Sequence, residues 1–198
     1  MTRPPTFVVI ASGIVAFAFA AYGSHELVAY LRREPAVPAA IVDQRWQPQR
    51  VGAIALDAPF ALHADTLPVP DTIKPLVVST TYLQGEGDGL MIASMEFTYR
   101  AGVPIDLDGA AGGAIANMRT VPGTLSVDPK QAKTSVLGEP AIDLEAAIRR
   151  SNAEPLRMHG VVFADGAKLF IVMSVARADQ PAGDAAWQKL RASIRSAR

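Results

Sequence analysis

The sequence predicts an α+β protein, in which an antiparallel β-sheet is packed with helices and follows an amino-terminal transmembrane helix. Three observations lead to this prediction. An uncharged apolar run fills residues 7–22. Several later runs alternate apolar and polar residues, as strands with one buried side do. The last segment, 184–195, repeats its apolar residues at helical spacing.

The apolar leader is the strongest signal. Residues 7–22 carry no charge, and after Glu26 the chain is apolar again up to Leu31. One tilted helix over 7–31 is long enough to cross a hydrocarbon core about 30 Å thick. We therefore expect residues 1–34 to form a transmembrane helix or signal anchor that contacts the lipid bilayer through residues 7–31.

A cleaved secretory signal is the alternative interpretation of the leader. Arg3 supplies a positively charged start, and Ala18-Phe19-Ala20 has the small-x-small pattern that signal peptidase accepts. Both interpretations carry the remainder of the chain across the membrane. We expect a single-pass protein of the inner (cytoplasmic) membrane with an extracytoplasmic, periplasmic carboxy-terminal domain, or a product secreted after cleavage near Ala20.

Composition excludes nucleic acid as a partner. The chain has 19 basic and 19 acidic residues, and the basic ones are scattered rather than clustered. It contains no cysteine, so disulfide and thiolate chemistry are absent. Residues 35–50 are rich in proline and alanine and predict a semi-extended linker. Residues 51–198 are then a usual size for one domain.

Between residues 51 and 99 the pattern predicts strands. Residues 51–56 are predicted as a strand that leads into a turn. The runs 76–83 and 90–99 are rich in β-branched and aromatic residues and predict a hairpin, with the glycine-rich residues 84–89 as a mobile tip. In the second run alternate residues form the core face: Met91, Ala93, Met95, Phe97 and Tyr99.

The segment 107–118 changes to helical spacing, and Asp106 or Asp108 is placed to cap it. Its glycines lower helix propensity by up to about 1 kcal/mol each. Packing must therefore hold this helix, which we expect to end at 121–123. Its apolar side comprises Leu107, Ala111, Ala114, Ile115 and Met118.

The carboxy-terminal half is predicted as a meander of three strands. Asp165-Gly166 is a favoured two-residue hairpin turn, and it places Val162 opposite Leu169. A short connection around residues 151–153 then places 142–148 on the same apolar side. The closing helix, 184–195, is amphipathic. Its inward face comprises Ala186, Trp187, Leu190 and Ile194, and its outward face comprises Lys189, Arg191 and Arg195.

Four segments of the chain resemble the PsbP-like α/β sandwich domains of bacteria and chloroplasts. They read DAPFAL, LGEPAIDLE, MHGVVFADGAKLFIVMSVA and AAWQKLRASIR, and the resemblance covers residues 51–195 in outline. The short matches are Gly138, Pro140 and Ala141 before the meander, and Ser193, Ile194 and Arg195 at the end of the closing helix. The resemblance implies an exported, non-enzymatic domain of a kind that either assists membrane complexes or has no assigned role.

No catalytic motif is present. The sequence lacks a phosphate-binding Gly-x-x-x-x-Gly-Lys-Ser/Thr loop and a Gly-x-Ser-x-Gly elbow. His25-Glu26 is followed by Ala29 where a zinc protease needs its second histidine. We therefore expect no enzyme activity, no cofactor and no metal site.

One polar cluster is the candidate site. It lies on the sheet face opposite the core and comprises Asp143, Glu145, Arg157, His159 and Ser174. A carboxylate beside a histidine tunes it for proton transfer or orients it towards a metal. The alternative is a solvated face whose opposite charges pair across strands for about 0.2 to 1 kcal/mol each. His63 is predicted to be structural or exposed.

Apolar residues share that opposite face and require a cover, either a helix, a ligand or a partner: Val161, Phe163, Phe170 and Val172. Two function classes follow. The first is a membrane-anchored, non-enzymatic accessory domain that acts by contact with a protein partner of unknown identity. The second is an extracytoplasmic carrier of a small ligand or lipid, which would use those apolar residues beneath the glycine-rich hairpin.

Overall fold

The computed structural model of the chain describes residues 37–197, except positions 68, 70, 72 and 152. The helices are α1 (Ala40–Asp43), α2 (Leu107–Thr120) and α3 (Pro181–Ala192). The strands are β1 (Gln47–Val51), β2 (Ile54–Ala58), β3 (His63–Ala64), β4 (Val77–Gly87), β5 (Leu90–Tyr99), β6 (Thr124–Val136), β7 (Glu139–Arg150), β8 (Ala153–Asp165), β9 (Lys168–Arg177) and β10 (Arg195–Ser196).

The predicted α+β class is confirmed as a sheet-rich architecture with few helices. The transmembrane helix predicted over 7–31 lies outside the described residues. Among the residues that are described, none of the helices is long and apolar enough to cross a membrane.

The centre of the fold is a seven-stranded antiparallel sheet with the order β3-β4-β5-β9-β8-β7-β6. Each consecutive pair from β6 to β9 is joined by a tight turn, so the predicted meander is present and is one strand longer than expected. A second sheet of three short strands has the order β1-β2-β10.

One face of the large sheet, the α2 face, packs against α2. The alternating residues of β5 from Met91 to Tyr99 lie on it, as predicted, together with apolar residues of β7, β8 and β9. Asp106 caps α2, since its side chain accepts a hydrogen bond from the Gly109 N–H at 3.0 Å. The helix ends at Thr120, with Val121 as its C-cap.

The other face, the α3 face, is also covered. Val161, Phe163, Phe170 and Val172 are buried there beneath α3, α1 and the three-stranded sheet. The cover that the sequence required is therefore supplied by the chain itself. The result is three layers, with α2 on one side of the large sheet and the small sheet with two helices on the other.

Residues 37–50 differ from the predicted semi-extended linker. Val37, Ile41 and Trp46 are buried in the cluster on the α3 face, and the Trp46 indole N–H donates to the Ile41 carbonyl at 2.8 Å. Lys189 of α3 lies 4.8 Å from the Trp46 ring centre. The segment is folded and not semi-extended because the apolar residues that lie between its prolines are buried in the core.

The segment predicted as one strand over 51–56 is a hairpin. β1 and β2 pair around a turn at Gly52, whose φ is +60°. The buried Glu96 carboxylate fixes this turn to the large sheet, because its Oε2 accepts from the Ala53 N–H at 2.6 Å and its Oε1 accepts from Lys168 Nζ at 2.6 Å. A Cβ on Gly52 would overlap that carboxylate, so glycine is required for the close approach.

The hairpin tip is shorter than the predicted range 84–89. β4 continues to Gly87, and the turn is Asp88-Gly89, with φ of +49° and +74°. Positive φ at both central residues is the geometry that Asp-Gly favours in two-residue hairpins. Gly85 lies within the strand, and glycine is needed at this position because residues 60–62 pass close by. A Cβ on residue 85 would be 2.8 Å from the Ala61 carbonyl oxygen.

The predicted register of the last hairpin is wrong by two residues. Val162 pairs with Ile171 and not with Leu169, because the loop residues are Gly166 and Ala167. Glycine with positive φ at the first central position is typical of a type II′ turn. A shift of two leaves every side chain on its predicted face, so the core assignment for β8 and β9 holds.

Candidate functional site

Strand register places three of the five polar residues in one row across the α3 face. Glu145 of β7 pairs with His159 of β8, and His159 pairs with Ser174 of β9. Asp143 and Arg157 lie two residues before Glu145 and His159 on the same strands. The other two residues therefore lie on either side of this row on the same face of the sheet.

His159 is held by α3. Its Nε2 lies 2.9 Å from Asp184 Oδ1, and its ring lies parallel to Trp187, with 5.9 Å between ring centres and 8° between planes. Arg157 donates to the other oxygen of Asp184 at 2.6 Å. Asp184 therefore joins two of the five predicted residues, and the histidine ring has one fixed orientation.

Asp143 is bound by Arg191. The guanidinium donates to both carboxylate oxygens, at 2.8 and 3.0 Å, and also to Thr134 Oγ1 at 3.0 Å. The prediction that Arg191 points outward is wrong, because the helix lies across the sheet and turns this residue towards β7. Two-point pairing of this kind fixes geometry as well as charge, so this pair secures the end of α3 to the sheet.

Ser174 and Glu145 have contrasting environments. Ser174 is only 3% exposed and, within the described part of the chain, makes no hydrogen bond to His159. Glu145 has a side chain that is 40% exposed, and its ion-pair partner is Lys130 at 3.7 Å. The Ser174 hydroxyl is thus buried and not bonded to His159, unlike a serine that is hydrogen-bonded to its general base.

A groove of about 510 Å³ opens beside the cluster, between α3 and the strands β6 and β7. The polar side chains that line it include Lys130, Glu145, His159 and Gln188. Among residues 37–197, with the gaps noted above, no group of three or more histidine and acidic residues is arranged to hold a metal ion. The groove is thus a polar concavity with one oriented histidine.

A second cleft, of about 390 Å³, lies beside the glycine-containing end of the β4–β5 hairpin. His63 lines it, in the short strand β3, where the side chain is exposed as predicted. The apolar residues that the predicted ligand or lipid carrier would use do not reach this cleft, because α3 and the small sheet cover them. These apolar residues therefore do not form the ligand or lipid site that the carrier function predicted.

Two residues that hold the cluster in place were not predicted to contact it. Asp184 and Trp187 both come from α3, and their spacing of three places them on one side of a helix. The signal in the sequence was therefore the polar residue beside the buried tryptophan. Asp184 was assigned only to the beginning of the closing helix, and nothing in the sequence connects it to a residue 25 positions away.

Comparison with known proteins identifies no family. The chain matches no protein-family model and no curated protein. Among solved structures it is similar to PA94, a Pseudomonas aeruginosa protein of unknown function, at 16% identity and a TM-score of 0.36, covering 73% of this chain and 92% of that one. It is also similar to LpqN, which is involved in cell envelope biogenesis of Mycobacterium tuberculosis, at 12% identity and a TM-score of 0.38, covering 82% and 97%.

Proposed function

We propose that this chain is a membrane-tethered, non-enzymatic accessory module that acts by protein contact, and that the outer edge of β6 makes the contact. The module is held at the inner membrane through residues 7–31, with its folded part on the periplasmic side. Its family is the PsbP-like sandwich that the four sequence segments resemble.

The unpaired outer edge of β6 is the feature that supports a contact role. This strand has 13 residues and pairs with β7 on one side, and within the described residues no strand pairs with its other side. An unpaired strand edge offers a row of backbone N–H and C=O groups to another extended chain. Both faces of the large sheet carry covering elements, and the β6 edge is a long unpaired edge among the described residues that is open to a partner.

Residues on β6 restrict which strand can pair there. Lys130 and Lys133 place two positive charges along the edge, and Pro129 lacks an N–H. Lysine and proline on an edge oppose pairing of the edge with itself. The stretch 130–136 contains no proline, so it can accept a partner strand. We infer that the partner presents an extended, acidic segment, since opposite charges favour cross-strand pairs.

Photo-crosslinking in the membranes of host cells tests this proposal. A photoreactive residue replaces Gln131 on the β6 edge in the full-length chain, and the matched control places it at Lys74, an exposed position away from β6. We expect a discrete adduct with another protein from position 131 and none from position 74. The adduct should disappear when Lys130→Glu and Lys133→Glu are combined.

Three outcomes would contradict the proposal. They are no adduct at position 131, the same adduct from both positions, or an adduct made of two copies of this chain. Persistence of the adduct in the double charge reversal would contradict the acidic character assigned to the partner.

A further inference from the structure

The groove beside His159 has features that the contact role of the β6 edge does not use. We propose that it is a binding site for a neutral, hydroxyl-rich ligand, of which a saccharide unit is the class that fits. This site lies on the α3 face and would act in addition to the protein contact made by the β6 edge.

First, the hydrogen bond to Asp184 determines which ring nitrogen of His159 carries the hydrogen. The Asp184 carboxylate accepts a hydrogen bond from Arg157 at 2.6 Å, and an ionised carboxylate has no proton to donate. The His159 Nε2, 2.9 Å away, must then be the donor. In a neutral imidazole the remaining nitrogen carries a lone pair. In the neutral form of His159, Nδ1 is therefore a hydrogen-bond acceptor.

The second step is that this acceptor is free. His159 is 14% exposed by its side chain, and none of the described residues donates to Nδ1. The nitrogen is not among the sealed polar atoms of the interior, and the ring lines the groove. Stacking against Trp187 keeps the ring from turning away. The groove thus contains a fixed acceptor without a partner.

The third step is the distance to Glu145. This residue is opposite His159 in the sheet, yet its carboxylate stays more than 4.0 Å from the ring nitrogens. A metal ion needs both ligand atoms about 2.1 Å away, which such a separation does not favour. Two neighbouring hydroxyls of one ligand can instead donate separately, one to His159 Nδ1 and one to the Glu145 carboxylate. Each hydrogen bond would then be about 2.8 Å long. The spacing therefore fits hydroxyl donors better than a metal.

The fourth step is charge. Arg191 and Asp143 neutralise each other, and Lys130 offsets Glu145 at 3.7 Å. A polar groove with balanced charge gives no strong preference to an anion or a cation, so an uncharged ligand with many hydroxyls is the best match. The side-chain amide of Gln188 adds a donor and an acceptor at its rim.

Two measurements on the full-length protein, kept in a detergent without a sugar headgroup, test the proposal. Nitrogen-15 NMR of the imidazoles at about pH 8, above the usual imidazole range, should show His159 with a protonated Nε2 and a bare Nδ1. Ligand-detected NMR should show saturable binding of maltose or chitobiose. Glucuronate and glucosamine, which carry a charge, should bind more weakly.

Glu145→Ala should weaken saccharide binding about tenfold or more, because it removes a charged acceptor. Glu139→Ala, an exposed carboxylate earlier on β7, is the matched control and should leave binding unchanged. Circular dichroism establishes that both variants are folded.

Several results would overturn the proposal. They are a protonated Nδ1 in His159, no saturable binding of either neutral disaccharide, tighter binding of a charged sugar, or saturable binding of ZnCl₂ that Glu145→Ala abolishes. None of these results affects crosslinking from the β6 edge, so failure here is distinguishable from failure of the contact role.

Discussion

Glu96 is a carboxylate with 4% exposure in the layer between the two sheets. It accepts hydrogen bonds from the Ala53 N–H and from Lys168, so it connects the β1–β2 hairpin to the large sheet. A buried charge of this kind is tolerated only because it is paired and hydrogen-bonded. Glu96 thus fixes the position of the β1–β2 hairpin on the large sheet.

Glu96→Ala should therefore lower the free energy of unfolding by about 2 kcal/mol, since it leaves the Ala53 N–H unpaired and removes the partner of Lys168. Lys168 is partly exposed and regains water, which keeps the loss below that of a fully buried pair. Urea unfolding followed by tryptophan fluorescence measures the change. Glu139→Ala, on the surface, should shift stability by less than about 0.5 kcal/mol. Equal effects of the two substitutions would show that Glu96 does not anchor the hairpin.

Tyr99 gives a prediction at alkaline pH. Burial raises the pKa of its phenol to about 12, whereas a tyrosine in an unfolded chain titrates near pH 10. Above about pH 10 the unfolded state releases this proton and the folded state keeps it, so stability falls as pH rises. The loss across the window between these two pKa values is on the order of 2 kcal/mol.

Tyr99→Phe should remove this loss. The difference in urea midpoint between about pH 8 and about pH 11 should be smaller in the variant than in the parent chain. An unchanged pH dependence would mean that Tyr99 ionises in the folded protein as readily as in the unfolded one.

Among the elements, two glycines have opposite roles. Gly85 lies in β4 where a Cβ would meet the Ala61 carbonyl oxygen at 2.8 Å and Leu62 Cδ2 at 2.9 Å. Gly112 lies in the middle of α2, where an added Cβ meets nothing within 4 Å. The same substitution should therefore change stability in opposite directions at the two positions.

Gly85→Ala should destabilise the protein by about 1 to 3 kcal/mol, because backbone must move to admit the methyl group. Gly112→Ala should stabilise it by about 0.5 to 1 kcal/mol, because alanine is the better helix former. Thermal unfolding of the two variants beside the parent measures both signs. Destabilisation by Gly112→Ala, or tolerance of Gly85→Ala, would contradict the packing described for that element.

The elements that the sequence predicted well were those with a regularly spaced apolar face, although β5 and β9 are buried on both sides. Alternation placed β5, β7, β8 and β9, and helical spacing placed α2 and α3. β6 was missed, because an edge strand with most of its side chains exposed shows no alternation and contains Pro129. The β4–β5 turn was missed for a different reason. Asp88-Gly89 is a favoured two-residue turn, but Gly85 and Gly87 made the whole segment resemble a loop. Glycine is present at those two positions because residues 60–62, distant in sequence, pass close to the strand.

The contacts of the candidate site depend on tertiary structure in the same way. Pairing of Glu145 with His159 follows from strand register alone, and the sequence supplied it. The bonds from Asp184 and Arg191 depend on where α3 crosses the sheet, which no local pattern specifies. The polar residues were therefore predictable as neighbours, and their partners were not.

For the whole molecule, the decisive prediction concerns the leader. Full-length protein tagged at both ends should sediment with membranes and be extracted by detergent, with the amino terminus retained. Sequencing of the mature amino terminus separates an anchored chain from one cleaved near Ala20. Recovery of the uncleaved chain in the soluble fraction without detergent would contradict the membrane tether.

Burial of Val37 has a consequence for how far this protein reaches. If the helix predicted over 7–31 is retained, residues 32–36 alone connect it to the folded layer. A fully extended chain of that length covers at most about 18 Å. The body would then lie close against the lipid headgroups and sample only a thin shell of solvent. Its partner would have to present its binding segment just above the bilayer surface.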